Sequence, residues 1–219
     1  MEKIKHYPII HLSTDIDLPS ITNNDKVTIV TSFSDRDKAI LINQLEENSI
    51  DYINAAEDVK TFIKAYKPTY YYNALKNVNT EYVLILDSYD SIINNLNGIQ
   101  DLIELYNKKI IYGSWNTHFP TYFDVDFNVP EDNDKKYLNS GVVIGKTSDV
   151  KAYYKALSEY IEKEYPESDF WLKDYEQYWI YKFLSENLEY VDTIGIDYNE
   201  DIVKNSTFKD GSHLDQPKS

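Results

Sequence analysis

The sequence predicts an α/β fold in which helices flank a mostly parallel sheet. Three observations carry this expectation. Short runs rich in β-branched residues, such as "VTIVTSF" at 27–33 and "YLNSGVVIG" at 137–145, read as buried strands. Longer stretches with helical periodicity separate them, the clearest being "DVKAYYKALSEYIEKEY" at 149–165. The two kinds alternate along the chain, which is the pattern of a layered α/β structure.

Taken in order, the strand at 27–33 leads to Ser34 and Asp37, a capping-box-like start for a helix whose apolar face holds Ile40, Leu41 and Leu45. "IDYIN" at 50–54 reads as a second strand. Lys67-Pro68 opens a helix through "TYYYNALKNV", with proline at its first position. Val83, Leu84, Ile85 and Leu86 form a third strand that ends at Asp87. A helix is expected over 98–107 and a strand over 109–114. Residues 115–136 are irregular, aromatic and acidic, and too long for a tight connection, which marks a functional loop. After the strand at 137–145 come the helix at 149–165 and a second at 175–188. Short strands are expected near 190–194 and 201–203. One domain over residues 1–205 and a mobile tail over 206–219 complete the organisation.

Composition narrows the function. Against 22 basic residues stand 37 acidic ones, a formal charge of -15, so a phosphate backbone is repelled and nucleic acid is not an expected partner. No run approaches the roughly 18 apolar residues of a membrane span. The N-terminal stretch "MEKIKHYPIIHLSTDIDLP" is too short in apolar residues for a secretory signal. With no cysteine there is no thiolate nucleophile and no cysteine zinc site, and a cytoplasmic setting is the expectation. The 21 tyrosines have two readings: codon bias filling half-exposed positions, or rings lining a groove for a base or sugar.

The chemistry concentrates at "EYVLILDSYDSIINN", residues 81–95. In open α/β sheets ligands sit at the carboxyl ends of the strands, where Thr31-Ser32 and Asp87 both fall. Asp87 and Asp90 bracket a turn that can aim two carboxylates at one spot. Like charges that close raise each other's pKa unless a cation sits between them. Oxygen-only ligation favours a hard ion, Mg²⁺ or Mn²⁺, shared with substrate phosphates. The plainer alternative is that Asp87 ends the strand and Asp90 caps the following turn.

Several stretches then resemble one family in order. "VTIVTS", Lys67, "VLILDSYDSII", "YLNSGVVIG", "DYEQYWIYKFL" and "IGIDYNEDIVKN" look like segments of the glycosyltransferase domain of the procollagen lysyl hydroxylases and the related collagen-type glycosyltransferases. That family has a GT-A (Rossmann-like) fold. The resemblance implies that Asp87 and Asp90 hold Mn²⁺ (or Mg²⁺) on the diphosphate of a UDP-sugar. It implies that Tyr89 flanks the uracil, that Thr31 and Ser32 meet base or ribose, and that Lys67 approaches the phosphates or donor sugar. Asn139, Ser140 and Gly141 would line the sugar pocket, and Glu176 with Gln177 would face the reacting sugar or the acceptor hydroxyl.

The sequence also departs from the family. The third metal ligand there is a histidine in a His-Gly-Asn-Gly stretch, whereas "DGSHLDQ" offers His213 without those glycines and closer to Val203-Lys204-Asn205. The glycine-rich segment before the family's lysine is missing, and these residues carry no dioxygenase segment. The expected function is transfer of a hexose, glucose or galactose, from a UDP-sugar to an acceptor hydroxyl on a protein side chain, glycan or small molecule. The stereochemical course is left open. Two alternatives belong to other classes: a non-catalytic sugar-nucleotide binder of the same fold, and a metal-dependent phosphoryl enzyme. The second needs more clustered carboxylates or a glycine cradle, and 6 glycines show none.

Overall fold

The computed structural model describes residues 20–33, 39–130, 133–199 and 203–205. The strands among them are β1 (Val27–Ser32), β2 (Tyr52–Asn54), β3 (Tyr82–Asp87), β4 (Ser91–Ile93), β5 (Ile110–Trp115), β6 (Tyr137–Lys146), β7 (Ile194–Asp197) and β8 (Val203–Asn205). The helices are α1 (Ile40–Glu47), α2 (Lys67–Leu75), α3 (Ile99–Tyr106), α4 (Thr147–Glu164), α5 (Glu176–Glu186) and the short α6 (Leu188–Val191). Six strands form one sheet in the order β2-β1-β3-β6-β5-β7, and β4 pairs with β8 in a separate ribbon.

β1, β2 and β3 are parallel, as are β5 and β7, while β6 runs antiparallel to both β3 and β5. The sheet is therefore largely parallel with one reversed strand in its middle. That reversal brings the beginning of β6, not its end, to the carboxyl ends of its neighbours.

Side-chain alternation divides the core into two layers. Val83 and Ile85 of β3 join Val30, Tyr112, Tyr71, Leu157 and Trp179 on the face covered by α2, α4 and α5. Leu84 and Leu86 join Ile29, Leu41, Leu45 and Leu102 on the face covered by α1 and α3. A strand buried on both sides carries an unbroken apolar run, and this is why "YVLIL" shows no polar alternation. In α4, Val150, Tyr153, Tyr154, Leu157 and Ile161 recur at helical spacing and are all buried.

Neither reading of the tyrosines describes most of the buried ones. Tyr71, Tyr112, Tyr153, Tyr154 and Tyr181 are fully buried core residues. They meet edge to face, as in Tyr71–Tyr154 at 5.7 Å and Tyr112–Tyr153 at 6.2 Å between ring centres. The Tyr112 hydroxyl also donates to that of Tyr153 at 3.1 Å.

The late elements differ from expectation. Residues 188–191 are helical and the strand lies at 194–197, not near 190–194. Tyr190 is drawn onto Tyr153 and Phe183, while Ile194 and Ile196 fill the layer beside β5. β8 lies at 203–205, not 201–203, because it pairs with β4. β4 itself has no strong sequence signal. The buried Gln44 holds it from α1, donating to the Ile93 carbonyl at 2.8 Å and accepting from the Ile93 N–H at 2.9 Å. α1 begins at Ile40 with no side-chain cap, and Ser34 and Asp37 lie outside the described residues.

Candidate active site

β1 and β3 end level with each other, Ser32 facing Asp87 in the ladder. Leu86 pairs with Val142, so Gly141, Ser140 and Asn139 lie just past the end of β3. On its other side β6 bulges: Tyr112 pairs with Val143, but the next residue, Gly113, pairs with Asn139. Ser140, Gly141 and Val142 therefore have no partner on β5, which frees the backbone of Ser140 and Gly141 to border the crevice. A Cβ on Gly113 would lie 2.9 Å from Val142 Cβ, so this bulge requires glycine there.

Lys67, the first residue of α2, is buried and reaches the same place. Its Nζ donates to Asp87 Oδ1 and lies 2.8 Å from Glu176 Oε2. Its charge also lies 5.8 Å from the ring centre of Tyr71, whose hydroxyl shares a 3.0 Å hydrogen bond with Ser32 Oγ. Burial opposes the Lys67 charge, but Asp87 and Glu176 outweigh it and hold the pKa well above its ordinary value. Glu176, first residue of α5, is also buried, and burial lifts its carboxyl to about 7 against the pull of Lys67. Its Oε1 is buried with no hydrogen-bond partner.

Asp90 reaches solvent at the crevice rim. Protein atoms nonetheless crowd its carboxyl, and that desolvation, with the Asp87 charge, raises its pKa to about 6. Tyr89 is 38% exposed beside it. Thr31 is fully buried and donates to the Leu86 carbonyl at 2.7 Å, so its hydroxyl is committed to the sheet. Asn139 Oδ1 accepts from the Gly141 N–H at 2.8 Å. Gln177 faces inward: Oε1 accepts from the Ser140 N–H and hydroxyl, both at 3.2 Å, and Nε2 donates to the Phe119 carbonyl at 2.5 Å. One side chain thus ties the β6 bulge to the 115–136 loop.

Most of that loop's apolar side chains pack onto the domain. Phe119, Phe123, Val125 and Val129 lie against the core, and His118 stacks on Tyr137 at 4.7 Å. Trp115 belongs to the end of β5, and Tyr122 is 58% exposed, edge-on to Phe170.

The fold brings Ser32, Lys67, Asp87, Tyr89, Asp90, Asn139, Ser140, Gly141, Glu176 and Gln177 to one end of the sheet. His213 lies outside the described residues. Sequence reading missed Tyr71, although Lys67, Tyr71 and Leu75 are buried at successive four-residue steps of α2, a signal available in the sequence.

A hard divalent ion fits these side chains in the chemistry of the donors: the Lys67 ammonium contacts Asp87 and Glu176, Asp90 feels the Asp87 charge, and Asp90 and Glu176 have raised pKa values. A Cβ at Gly141 would sit 3.1 Å from both Asp87 Oδ2 and Asn139 Oδ1, so glycine lets β6 lie this close to Asp87. Among the described residues no group of three His, Cys, Asp or Glu side chains comes together for a metal. Diphosphate oxygens and water would have to complete the coordination. No described helix is long and apolar enough to cross a membrane.

No protein-family model matches the chain, and no curated protein matches it. Among solved structures, it is similar to a glycosyltransferase involved in glycosylation of the major capsid of PBCV-1. The identity is 17%, the TM-score 0.46, and the match covers 78% of this chain and 81% of that one. The glycosyltransferase GlyE of Streptococcus pneumoniae TIGR4 matches at 17% identity and TM-score 0.41, over 79% of this chain and 38% of that one. A197 from STIV matches at 13% identity and TM-score 0.39, over 57% of this chain and 66% of that one. At these scores the likenesses carry no function across. The resemblance to the collagen glycosyltransferases stays one of sequence motifs.

Proposed function

We propose that this protein is a metal-dependent glycosyltransferase of GT-A type that moves a hexose from a UDP-sugar to an acceptor hydroxyl. The observation that carries the reading is the Lys67–Asp87–Glu176 cluster at the carboxyl end of β1 and β3, with Asp90 at its rim and the Gly141 backbone close against Asp87. In the transfer, the acceptor oxygen bonds to the anomeric carbon as that carbon's bond to the diphosphate breaks. The electron pair leaves with UDP, and the hydroxyl proton passes to a site carboxylate or to the departing diphosphate. Mn²⁺ or Mg²⁺, held by Asp87 and Asp90, would supply neutralising charge to the leaving diphosphate. Lys67 fixes the Asp87 carboxylate and adds a positive charge to an otherwise acidic chain. Gln177 holds Ser140, and with it the β6 bulge, in place.

A second reading, a sugar-nucleotide binder without turnover, draws on the absence of a third ligating side chain among the described residues. Donor hydrolysis separates the two, because a transferase leaks UDP from its donor and a binder does not.

The test is a melting-temperature panel with UDP-, GDP- and ADP-sugars and UDP, with Mn²⁺ or with EDTA. UDP should raise the melting temperature only with the metal, since ligand bound to the native state stabilises it. An equal rise with EDTA removes the metal assignment. In parallel, Asp90→Asn should abolish donor hydrolysis with a melting temperature close to the parent's, because an exposed turn residue buries little. Undiminished hydrolysis by that variant refutes Asp90 as a ligand.

A further inference from the structure

A groove of about 590 Å³ shares none of the side chains of the Asp87 cluster. Its size falls within the roughly 300–1,000 Å³ range of small-molecule sites. Phe62, Tyr165, Trp171 and Tyr175 line it together with Lys64 and Asp174. Two of these rings are unusually open to solvent, Trp171 at 57% and Tyr175 at 45% exposure. The polar groups are placed among the rings: Asp174 Oδ1 accepts from the Tyr165 hydroxyl at 2.9 Å.

The walls of this groove lead into the site. Asp174 and Tyr175 immediately precede Glu176, and Lys64 begins the 3-10 turn that runs into Lys67. The Lys64 charge is felt at the Glu176 carboxyl. A transferase needs two substrate sites, and the chain runs directly from this groove's walls to Lys67 and Glu176.

We propose that this groove is the acceptor site and takes a neutral saccharide; the inference rests on the glycosyltransferase reading. Exposed aromatic rings offer flat faces to the C–H face of a sugar ring, and the carboxylate and ammonium between them receive its hydroxyls. The formal charge of -15 disfavours a polyanionic acceptor, so a neutral sugar chain is the class that matches rings and field together.

Saturation-transfer NMR tests this with maltotetraose, cellotetraose, chitotetraose and tetragalacturonate as probes, on the parent, Trp171→Ala and Trp171→Phe, alongside donor hydrolysis. At least one neutral tetrasaccharide should receive magnetisation at its ring protons. The signal should fall at least fivefold in Trp171→Ala and persist in Trp171→Phe, since the second keeps a stacking face. Transfer to none of the neutral probes, an undiminished signal in Trp171→Ala, or preference for tetragalacturonate overturns the proposal. If donor hydrolysis persists in that case, glycosyl transfer stands and the groove assignment falls. Saccharide binding without donor hydrolysis would overturn the transferase reading and with it the acceptor role.

Discussion

A buried ammonium ordinarily drifts toward neutrality, because burial penalises its charged form. Lys67 goes the other way, since Asp87 and Glu176 face it. Burial works the other way on Glu176: against the pull of Lys67, its carboxyl holds its proton to about 7 in the fold but gives it up near 4.5 in the unfolded chain. Between those values the native state binds more protons. This group's contribution to stability is therefore fully present below about 4.5 and lost as the pH rises through about 7. A shift of that size is on the order of 3 kcal/mol. Glu176→Gln should flatten this part of the stability curve, so parent and variant should diverge steadily between pH 4.5 and 7 in denaturant titrations. Parallel curves would show that Glu176 titrates as an exposed carboxyl does.

β6 does more for the site than any other element. Its reversed direction delivers Asn139, Ser140 and Gly141 to the end of β3, and its bulge releases Ser140 and Gly141 from the β5 ladder. Gly141→Ala would set a methyl 3.1 Å from Asp87 Oδ2, and Lys67 prevents that carboxylate from moving aside. The variant should fold but lose most of the UDP-dependent rise in melting temperature seen with Mn²⁺. An equal rise in both proteins would mean that Asp87 Oδ2 takes no part in holding the metal. Gln177→Ala tests the tie between bulge and loop. It leaves the Ser140 N–H and the Phe119 carbonyl without their partner, which should cost about 1–3 kcal/mol by denaturant unfolding. It should also slow donor hydrolysis, and a purely structural role would lower stability while leaving hydrolysis per folded molecule unchanged.

Across the whole molecule, a charge of -15 repels itself at neutral pH. Raising NaCl from about 0.01 M to about 0.15 M shortens the screening length from roughly 30 Å to roughly 8 Å. Calorimetry at pH 7.5 should therefore show the melting temperature rising across that range. A flat or falling response would mean that specific ion pairs, such as Lys182 with Glu186 at 2.8 Å, outweigh the general repulsion.

What the sequence by itself determined is local and periodic. The apolar run before Asp87, the helical spacing in α4 and the alternation of strands with helices all follow from residues near one another in the chain, where side-chain period dictates element type. The aspartates at the end of β3, the "LNSG" stretch and Glu176-Gln177 could be singled out for the same reason. Their meeting could not be read locally, because Lys67, Asp87 and Glu176 come from three separate elements. Only the packing of α2 and α5 on one face of the sheet brings them together at the carboxyl end of β3. The weak elements show the same division: β4 and β8 exist because they pair with each other and because Gln44 reaches across from α1. The burial of Glu176 and Gln177 was likewise settled by what packs over the start of α5, a tertiary contact that no spacing of residues encodes.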